Sequence, residues 1–362
     1  MNRRRVCFFN SSKTWGGGEK WHYDIASRLS VKGHDVVVVT NRHSELFTRL
    51  KKEKIKCYRI RISNLSFLNL IKLFQIYRIL RKNRIQTIIL NLSSDLKIAG
   101  IAAKLAHVEK IIYRRGSAIP IKNTFYNRLL FRHVITGVIA NSEATKKTIL
   151  KHNPNLIEEN RITVIYNGID IGKFDANVAA SLFHRKEGEI VLGTAGRLVR
   201  QKNQKYLISV AKILKNNKIP FKLLIAGEGE LKDKLKKYAM TSGVGQNILF
   251  LGFVENIRDF FKSIDIFLLS SLWEGFGYVL IEAMASKKPV ISLNLSNEAE
   301  IVKDHQTGYL IDENNIEGFA EKIELLARNR DLRKELGERG RKRVNEVFTI
   351  QNTLKRVEEV IL

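Results

Sequence analysis

The sequence predicts an α/β protein built from two doubly wound domains, and three observations lead there. The chain has 362 residues, too many for one ordinary α/β domain and about right for two. Short apolar or β-branched runs alternate with longer stretches of helical periodicity, the rhythm of parallel strands joined by crossover helices. That rhythm pauses over residues 173–189, where periodicity is weak, and then starts again. The pause marks a linker between an N-terminal domain over 1–175 and a C-terminal domain over 186–348.

In the first half the expected strands are 6–9, 35–40, 86–90, 110–113, 137–140 and 162–165. A first helix over 19–32 ends at Gly33, a natural C-cap. In the second half strands are expected at 190–195, 222–226, 248–251, 266–269 and 289–292, with helices between them. No short-period repeat is present, so the halves share a rhythm and not a duplicated sequence.

Composition narrows the functional classes. A hydrophobic fraction of 44% supports real cores, and only four prolines argue against long disordered linkers. The two cysteines, Cys7 and Cys57, have no metal-ligand spacing, and their scarcity suits a reduced compartment. The basic start, with Arg3, Arg4 and Arg5 before an apolar run, faintly mimics a signal peptide. The run stops at Asn10 and no small-residue cleavage site follows. No stretch of 18 apolar residues occurs, so a cytoplasmic protein is expected, soluble or peripheral on the inner face of the cytoplasmic membrane. The net charge is +27 and lopsided: residues 1–180 carry 33 basic and 12 acidic side chains, residues 181–362 carry 30 and 24. Such a field concentrates polyanions near the first half, whether anionic lipid, phosphorylated glycan or nucleic acid.

Two clusters carry chemistry. In Gly193–Asn203 a buried strand empties into a tight turn, with Arg197 and Lys202 five apart before a helix starting near Gln204. Ligands of open α/β sheets sit beyond the carboxyl ends of the strands. There a guanidinium grips phosphate oxygens bidentately and a lysine adds a mobile charge. By itself the loop reads equally as a solvated basic turn. The second cluster, residues 270–285, again follows a strand. Gly275 and Gly277 permit close backbone approach, and a helix starting near Tyr278 turns its N-terminus toward anionic oxygen. Glu274 in the loop and Glu282 one turn into the helix suit sugar hydroxyls, which donate well to carboxylates. The bland alternative is a helix-terminal charge plus a surface glutamate. Val279, Leu280, Ala283 and Met284 read as buried and set Glu282 beside packed surface.

These residues also resemble a known family. Gly-Arg-Leu-Val-x-x-Lys at 196–202, Leu-Ile-Ala-Gly-Glu-Gly at 224–229, Leu-Gly-Phe-Val at 251–254 and Glu-Gly-Phe-Gly-x4-Glu-Ala-Met-Ala at 274–285 match the retaining glycosyltransferases of family 4 in order and spacing. The resemblance extends over nearly the whole chain through Gly16–Glu19, Gly33–Val36, Ile139–Ala144 and Val164–Asp170. It implies a GT-B fold: two Rossmann-like domains facing a central cleft, with a last helix near 350–362 returning to the first. It also implies a nucleotide-diphosphate sugar as co-substrate and no other cofactor. In that family's terms Arg197 and Lys202 hold the donor diphosphate, Glu282 the ribose, and Glu274 the hydroxyls of the donor sugar. Amides from Gly275, Phe276, Gly277, Tyr278, Val279 and Leu280 hold sugar and phosphate. Gly252, Phe253 and Val254 line the base, Gly227 and Glu228 the cleft wall, and Gly16, Gly17 and Gly18 close over the phosphates. Glu300 matches a further acidic position.

The expected chemistry follows from charge. Breaking a sugar–phosphate bond leaves negative charge on the diphosphate, and no Asp-x-Asp pair occurs to bring a metal to it. Arg197 and Lys202 are expected to take that place, each contact contributing roughly 1.5–3 kcal/mol as a charge-assisted hydrogen bond. Transfer without metal is therefore expected, and the family implies retention at the anomeric carbon. Whether Glu274 acts as nucleophile or positioning group stays open. One departure stands out. Where many members carry a histidine after the strand at 110–113, this chain has Tyr113-Arg114-Arg115-Gly116-Ser117, with Arg115 in the histidine's place. His107 and His133 read as ordinary helix residues.

On the acceptor side, 67–82 reads as a helix with Asn69, Lys72, Gln75 and Arg78 in a narrow polar stripe, flanked by basic residues. It suits either an anionic membrane surface or a core helix with solvated ends. Arg114, Arg115 and Lys122, in a basic segment over 114–127, are the candidate acceptor residues. The expected acceptor is an anionic glycan or glycolipid, such as a lipopolysaccharide core. A nucleotide-sugar epimerase or another GT-B enzyme, such as a phosphorylase, is the second reading. A nucleic-acid-binding protein is the third, resting on charge alone with no aromatic platform or module for specific recognition.

Overall fold

A computed structural model of the chain describes residues 3–176 and 178–362. Met1 and Asn2 of the expected first domain, and Asn177 of the expected linker, lie outside the described residues. The chain divides into two compact units, one running to Asn167 and including Ile350–Leu362, the other spanning Gly168–Thr349.

The first unit holds a seven-stranded, wholly parallel sheet. Its strands are β1 (Arg5–Asn10), β2 (Asp35–Thr40), β3 (Lys56–Arg59), β4 (Thr87–Leu90), β5 (Lys110–Arg115), β6 (Gly137–Ala140) and β7 (Ile162–Val164), in the order β3-β2-β1-β4-β5-β6-β7. Helices cover both faces, so strand residues are buried on alternate sides. Val6 and Phe8 pack with Trp21, Ile25 and Leu29 of the Gly17–Val31 helix and with Leu354, Val357 and Ile361. Cys7 and Phe9 face the opposite layer, with Ile76, Leu80, Ala103 and Phe131. The last helix, Ile350–Ile361, is fixed to this unit by Lys32 Nζ donating to Glu358 Oε2 at 2.7 Å and Thr353 Oγ1 donating to the Tyr166 carbonyl at 2.9 Å.

The second unit holds a six-stranded parallel sheet. Its strands are β8 (Ile190–Ala195), β9 (Phe221–Ala226), β10 (Ile248–Gly252), β11 (Ile266–Leu269), β12 (Val290–Leu293) and β13 (Gly308–Ile311), in the order β10-β9-β8-β11-β12-β13. Its interior is largely aliphatic, with Leu192, Leu207, Val210, Leu223, Leu268 and Ile323 in one core beside the Phe221 and Phe319 rings. Both sheets are doubly wound and reverse direction beside their first strand, between β1 and β4 and between β8 and β11. Ligands of such sheets gather at that reversal.

Three details differ from the sequence expectation. Strands β3 and β13 were not expected. β3 is an edge strand whose ends, Lys56 and Arg59, are exposed, so it lacks an apolar run; β13 is four residues long. The strand expected over 110–113 continues through Arg114 and Arg115. The helix expected over 67–82 starts at Leu70, because the Asn69 side chain caps it by accepting from the Lys72 amide at 2.9 Å, while Ser66–Leu68 forms a separate 3-10 turn.

Candidate functional site

In the second unit the predicted residues meet at the carboxyl edge, where β8 and β11 lie side by side. β8 ends at Ala195 and the chain turns through Gly196 and Arg197 into the 3-10 turn Arg200–Lys202. Asn203, left-handed at φ 49°, then starts the Gln204–Asn216 helix. β11 ends at Leu269 and leads to the loop carrying Glu274. The two segments are joined by hydrogen bonds. Ser270 Oγ donates to the Asn203 carbonyl at 2.9 Å, the Leu272 amide to the Gln201 carbonyl at 2.8 Å, and Gln201 Nε2 to the Trp273 carbonyl at 2.7 Å.

On that frame Lys202 Nζ forms an ion pair with Glu274 Oε1. Glu274 is only 6% exposed, and the same oxygen accepts from Ser271 Oγ at 2.7 Å. A carboxylate held by one cation and one hydroxyl keeps lone pairs for a further donor. Arg197 is exposed and makes no hydrogen bond through its guanidinium among the described residues, which leaves its donors available to an anion.

Backbone geometry accounts for the glycines. The ends of β8 and β9 approach so closely that a Cβ on Gly227 (φ 137°) would land on the Gly196 carbonyl oxygen. Glu228 lies beside them and pairs with Lys232 at 2.7 Å. Gly277, at φ 81°, is the left-handed residue before the Tyr278–Ala285 helix, a conformation glycine adopts without strain. Phe276 and Leu280 are buried, while Gly275, Tyr278, Val279 and Glu282 are half-buried. Val279 thus departs from its expected burial. Past β10, Phe253 is 78% exposed and Val254 half-buried, so the Phe253 ring is open to a flat partner.

A third segment was missed in the sequence. After β12, Asn297 Nδ2 donates to the Phe276 carbonyl at 2.7 Å and so holds the glycine turn. Ser296 Oγ accepts from the Glu274 amide at 3.1 Å and donates to Glu298 Oε1 at 3.0 Å. Burial pushes the Glu298 carboxyl above the usual range and the nearby Glu274 charge adds to this, against hydrogen bonds from the Glu298 and Ser296 amides and the Ser296 hydroxyl. The available signal was a run of Ser, Asn and Glu just past the third strand of the same edge. Glu300, the acid singled out instead, is half-buried two residues on, and its carbonyl accepts from Arg343 Nη2 at 2.7 Å.

The first unit has its own polar network at the β1–β4 reversal. Gly16 caps the Gly17–Val31 helix, and Gly18 and Glu19 lie in its first turn. Glu19 Oε1 accepts from Asn10 Nδ2 at 3.2 Å and Asn91 Nδ2 at 3.3 Å. Asp95, fully buried, accepts from the Leu92 amide at 3.0 Å and the Ser11 amide at 3.3 Å. Burial raises the Asp95 carboxyl to about 7, with Glu19's charge adding and the Ser11 and Leu92 hydrogen bonds opposing. His22 donates through Nδ1 to the Gly18 carbonyl at 3.0 Å, and burial first, then Arg114's charge, lowers it to about 3.

Arg114 corrects an expectation. Predicted as an acceptor contact on a loop, it is 2% exposed and stacked over the Trp21 ring at 4.6 Å. It donates to Asn91 Oδ1 at 3.3 Å and Asn167 Oδ1 at 3.2 Å, which supports the strand ends from within. Arg115, its neighbour on the other face of the strand, is half-buried, with Nη1 donating to the Tyr113 hydroxyl at 3.3 Å and Nη2 to the Ile119 carbonyl at 2.5 Å. With Lys122 it lines a cavity of about 500 Å³, alongside Phe67, Lys97, Tyr113 and Tyr126.

Comparison with known proteins shows the family and agrees with the fold. The family model described as Glycosyltransferase Family 4 matches residues 15–173, and that of glycosyl transferases group 1 matches residues 181–343. The capsular polysaccharide biosynthesis glycosyltransferase CapM of Staphylococcus aureus is 33% identical over 225 residues, 60% of this chain and 58% of that protein. The chain thus matches less than two thirds of that relative's length. The UDP-Gal:α-D-GlcNAc-diphosphoundecaprenol α-1,3-galactosyltransferase of Escherichia coli is 29% identical over 305 residues, 80% of this chain and 77% of that one. Among solved structures, Anabaena HepE in complex with UDP superposes with a TM-score of 0.84 at 18% identity, over 99% of both chains. The chain belongs to the glycosyltransferases of family 4, enzymes of the GT-B fold. Among the described residues no helix is long and apolar enough to cross a membrane.

Proposed function

We propose that this glycosyltransferase moves a sugar, with retention and without a metal ion, from a nucleotide-diphosphate sugar to an anionic glycan or lipid-linked acceptor. Its product belongs to a lipopolysaccharide or another cell-surface polysaccharide. It works in the cytoplasm, at the inner face of the membrane. The observation that carries the reading is the grouping of Arg197, Lys202 and Glu274 at the β8–β11 reversal. Two cations beside a hydroxyl-binding carboxylate match a diphosphate joined to a sugar, and a UDP complex of a fold neighbour supports the donor class. The acceptor class draws support from relatives named for capsule synthesis and for transfer to a diphosphoundecaprenol-linked sugar.

In the reaction the anomeric C–O bond to the diphosphate breaks, and the pair of electrons leaves on the phosphate oxygen. Arg197 and Lys202 stabilise that charge as it grows. The acceptor hydroxyl attacks from the same face and passes its proton to the departing phosphate, while Glu274 orients the sugar. A panel of nucleotide sugars, read by mass spectrometry for hydrolysis or transfer, tests the reading. One donor class should be consumed with release of nucleoside diphosphate. Consumption of none, with salt-dependent binding to generic RNA that nucleotide sugar leaves unchanged, overturns it.

A further inference from the structure

The first unit carries an apolar face with no counterpart elsewhere among its described residues. Leu65 (70%), Leu68 (69%), Leu70 (76%), Ile71 (82%) and Phe74 (58%) are exposed within ten residues. Single exposed apolar side chains are ordinary; a contiguous group of this size marks an interaction surface. The Leu70–Lys82 helix explains the exposure, because it turns Ile76, Ile79 and Leu80 inward and leaves Leu70, Ile71 and Phe74 without an inner partner. The Phe67 and Tyr126 rings, 5.4 Å apart, join this segment to the Phe125–Leu129 helix, whose Phe125 is 73% exposed.

The surrounding charge identifies the occupant. No aspartate or glutamate occurs over residues 54–94 or 110–142, the two stretches that build the face, whereas they hold nine and six lysines and arginines. Arg78, Arg81, Lys82 and Lys122 are exposed around the apolar group. Apolar side chains rimmed by cations, with acids excluded, fit the headgroup region of an anionic bilayer, where leucine and phenylalanine enter the acyl boundary and cations meet phosphate.

We propose that Leu65, Leu68, Leu70, Ile71, Phe74 and Phe125 dock this unit on an anionic lipid bilayer. The cavity lined by Phe67, Tyr126, Arg115 and Lys122 then opens beside the lipid surface, where a lipid-linked acceptor is presented. That purpose rests on the function proposed above; the docking is measured without turnover.

The test is cosedimentation of the full chain with vesicles of equimolar phosphatidylcholine and phosphatidylglycerol, and with phosphatidylcholine alone. Binding to the mixed vesicles is expected, with little to the neutral ones. The variant Leu68→Ser/Ile71→Ser should bind the mixed vesicles roughly tenfold more weakly, since two large apolar side chains no longer enter the lipid. Its UDP binding by calorimetry should be unchanged, which shows that the chain is folded. No binding by the parent, or equal binding by the variant, overturns the proposal. A variant that binds vesicles like the parent but fails to recruit another protein would also overturn it, by assigning the face to that protein. Failure to bind UDP in the parent bears on the transferase reading instead.

Discussion

Lys202 and Glu274 form an ion pair that ties the segment after β8 to the segment after β11, at the reversal of the second sheet. Their side chains are 16% and 8% exposed, so the pair is shielded from solvent and costly to break from one side. Replacing Lys202 by Met or Glu274 by Gln should each lower the stability of this unit. A double-mutant cycle in urea should return a coupling energy of about 1–3 kcal/mol. A coupling indistinguishable from zero would mean that the pair is only an incidental contact. Turnover adds a separate readout, because Lys202→Met should also cut kcat by about 10²–10³-fold if the ammonium meets the leaving diphosphate.

Arg197 permits a cleaner test of leaving-group stabilisation. It is exposed and its side chain supports nothing in the described fold, so Arg197→Ala should leave the unfolding transition within about 0.5 kcal/mol of the parent. Turnover should nevertheless fall by about 10²-fold or more. Near-normal transfer in both Arg197→Ala and Lys202→Ala would remove these cations from the mechanism.

Metal independence is expected from the same cations. Activity should survive EDTA, since two side chains supply the positive charge that a divalent ion otherwise brings to a diphosphate. Complete loss on chelation, restored by magnesium, would contradict this and return the leaving group to a metal.

The grouping of residues at the β8–β11 reversal was legible in the sequence because its determinants are local. Glycines, cations and carboxylates follow directly on apolar strands, and strand ends are where open sheets bind. Ser296, Asn297 and Glu298 were not legible, since their importance lies in contacts with Phe276 and Glu274 some twenty residues away. Arg114 misled for a related reason. A basic pair after a strand reads as a loop, whereas in the fold the Trp21 ring and the side chains of Asn91 and Asn167 help to make a buried guanidinium tolerable. The helix at 70–82 gave a correct apolar pattern without revealing that half of it has no core to face.

Gly227 should be among the least replaceable residues of the second unit. Its φ of 137° is disfavoured for any L side chain, and a Cβ would strike the Gly196 backbone rather than a movable side chain. Gly227→Ala should therefore destabilise the unit by about 3 kcal/mol or more, combining backbone strain with overpacking. Urea denaturation checks this. A loss below about 1 kcal/mol, the ordinary effect of a point mutation, would show that the two strand ends separate easily.

Asp95 makes the first unit sensitive to pH. Its carboxyl is pushed up to about 7 in the fold from the 3.8 of a free aspartate, because burial outweighs the hydrogen bonds from Ser11 and Leu92. Between those values the folded state holds a proton that the unfolded chain releases, so this group's contribution falls as pH rises from about 4 to about 7. Its stabilisation is complete below the unfolded value and lost once pH passes the folded one. In Asp95→Asn the amide oxygen can still accept from the Leu92 and Ser11 amides, with no charge to bury. The variant's stability relative to the parent should rise across this window and level off above neutral pH. Urea midpoints of the two proteins, taken at matched ionic strength across the range, give the comparison. Parallel curves would mean that Asp95 ionises inside the fold without penalty.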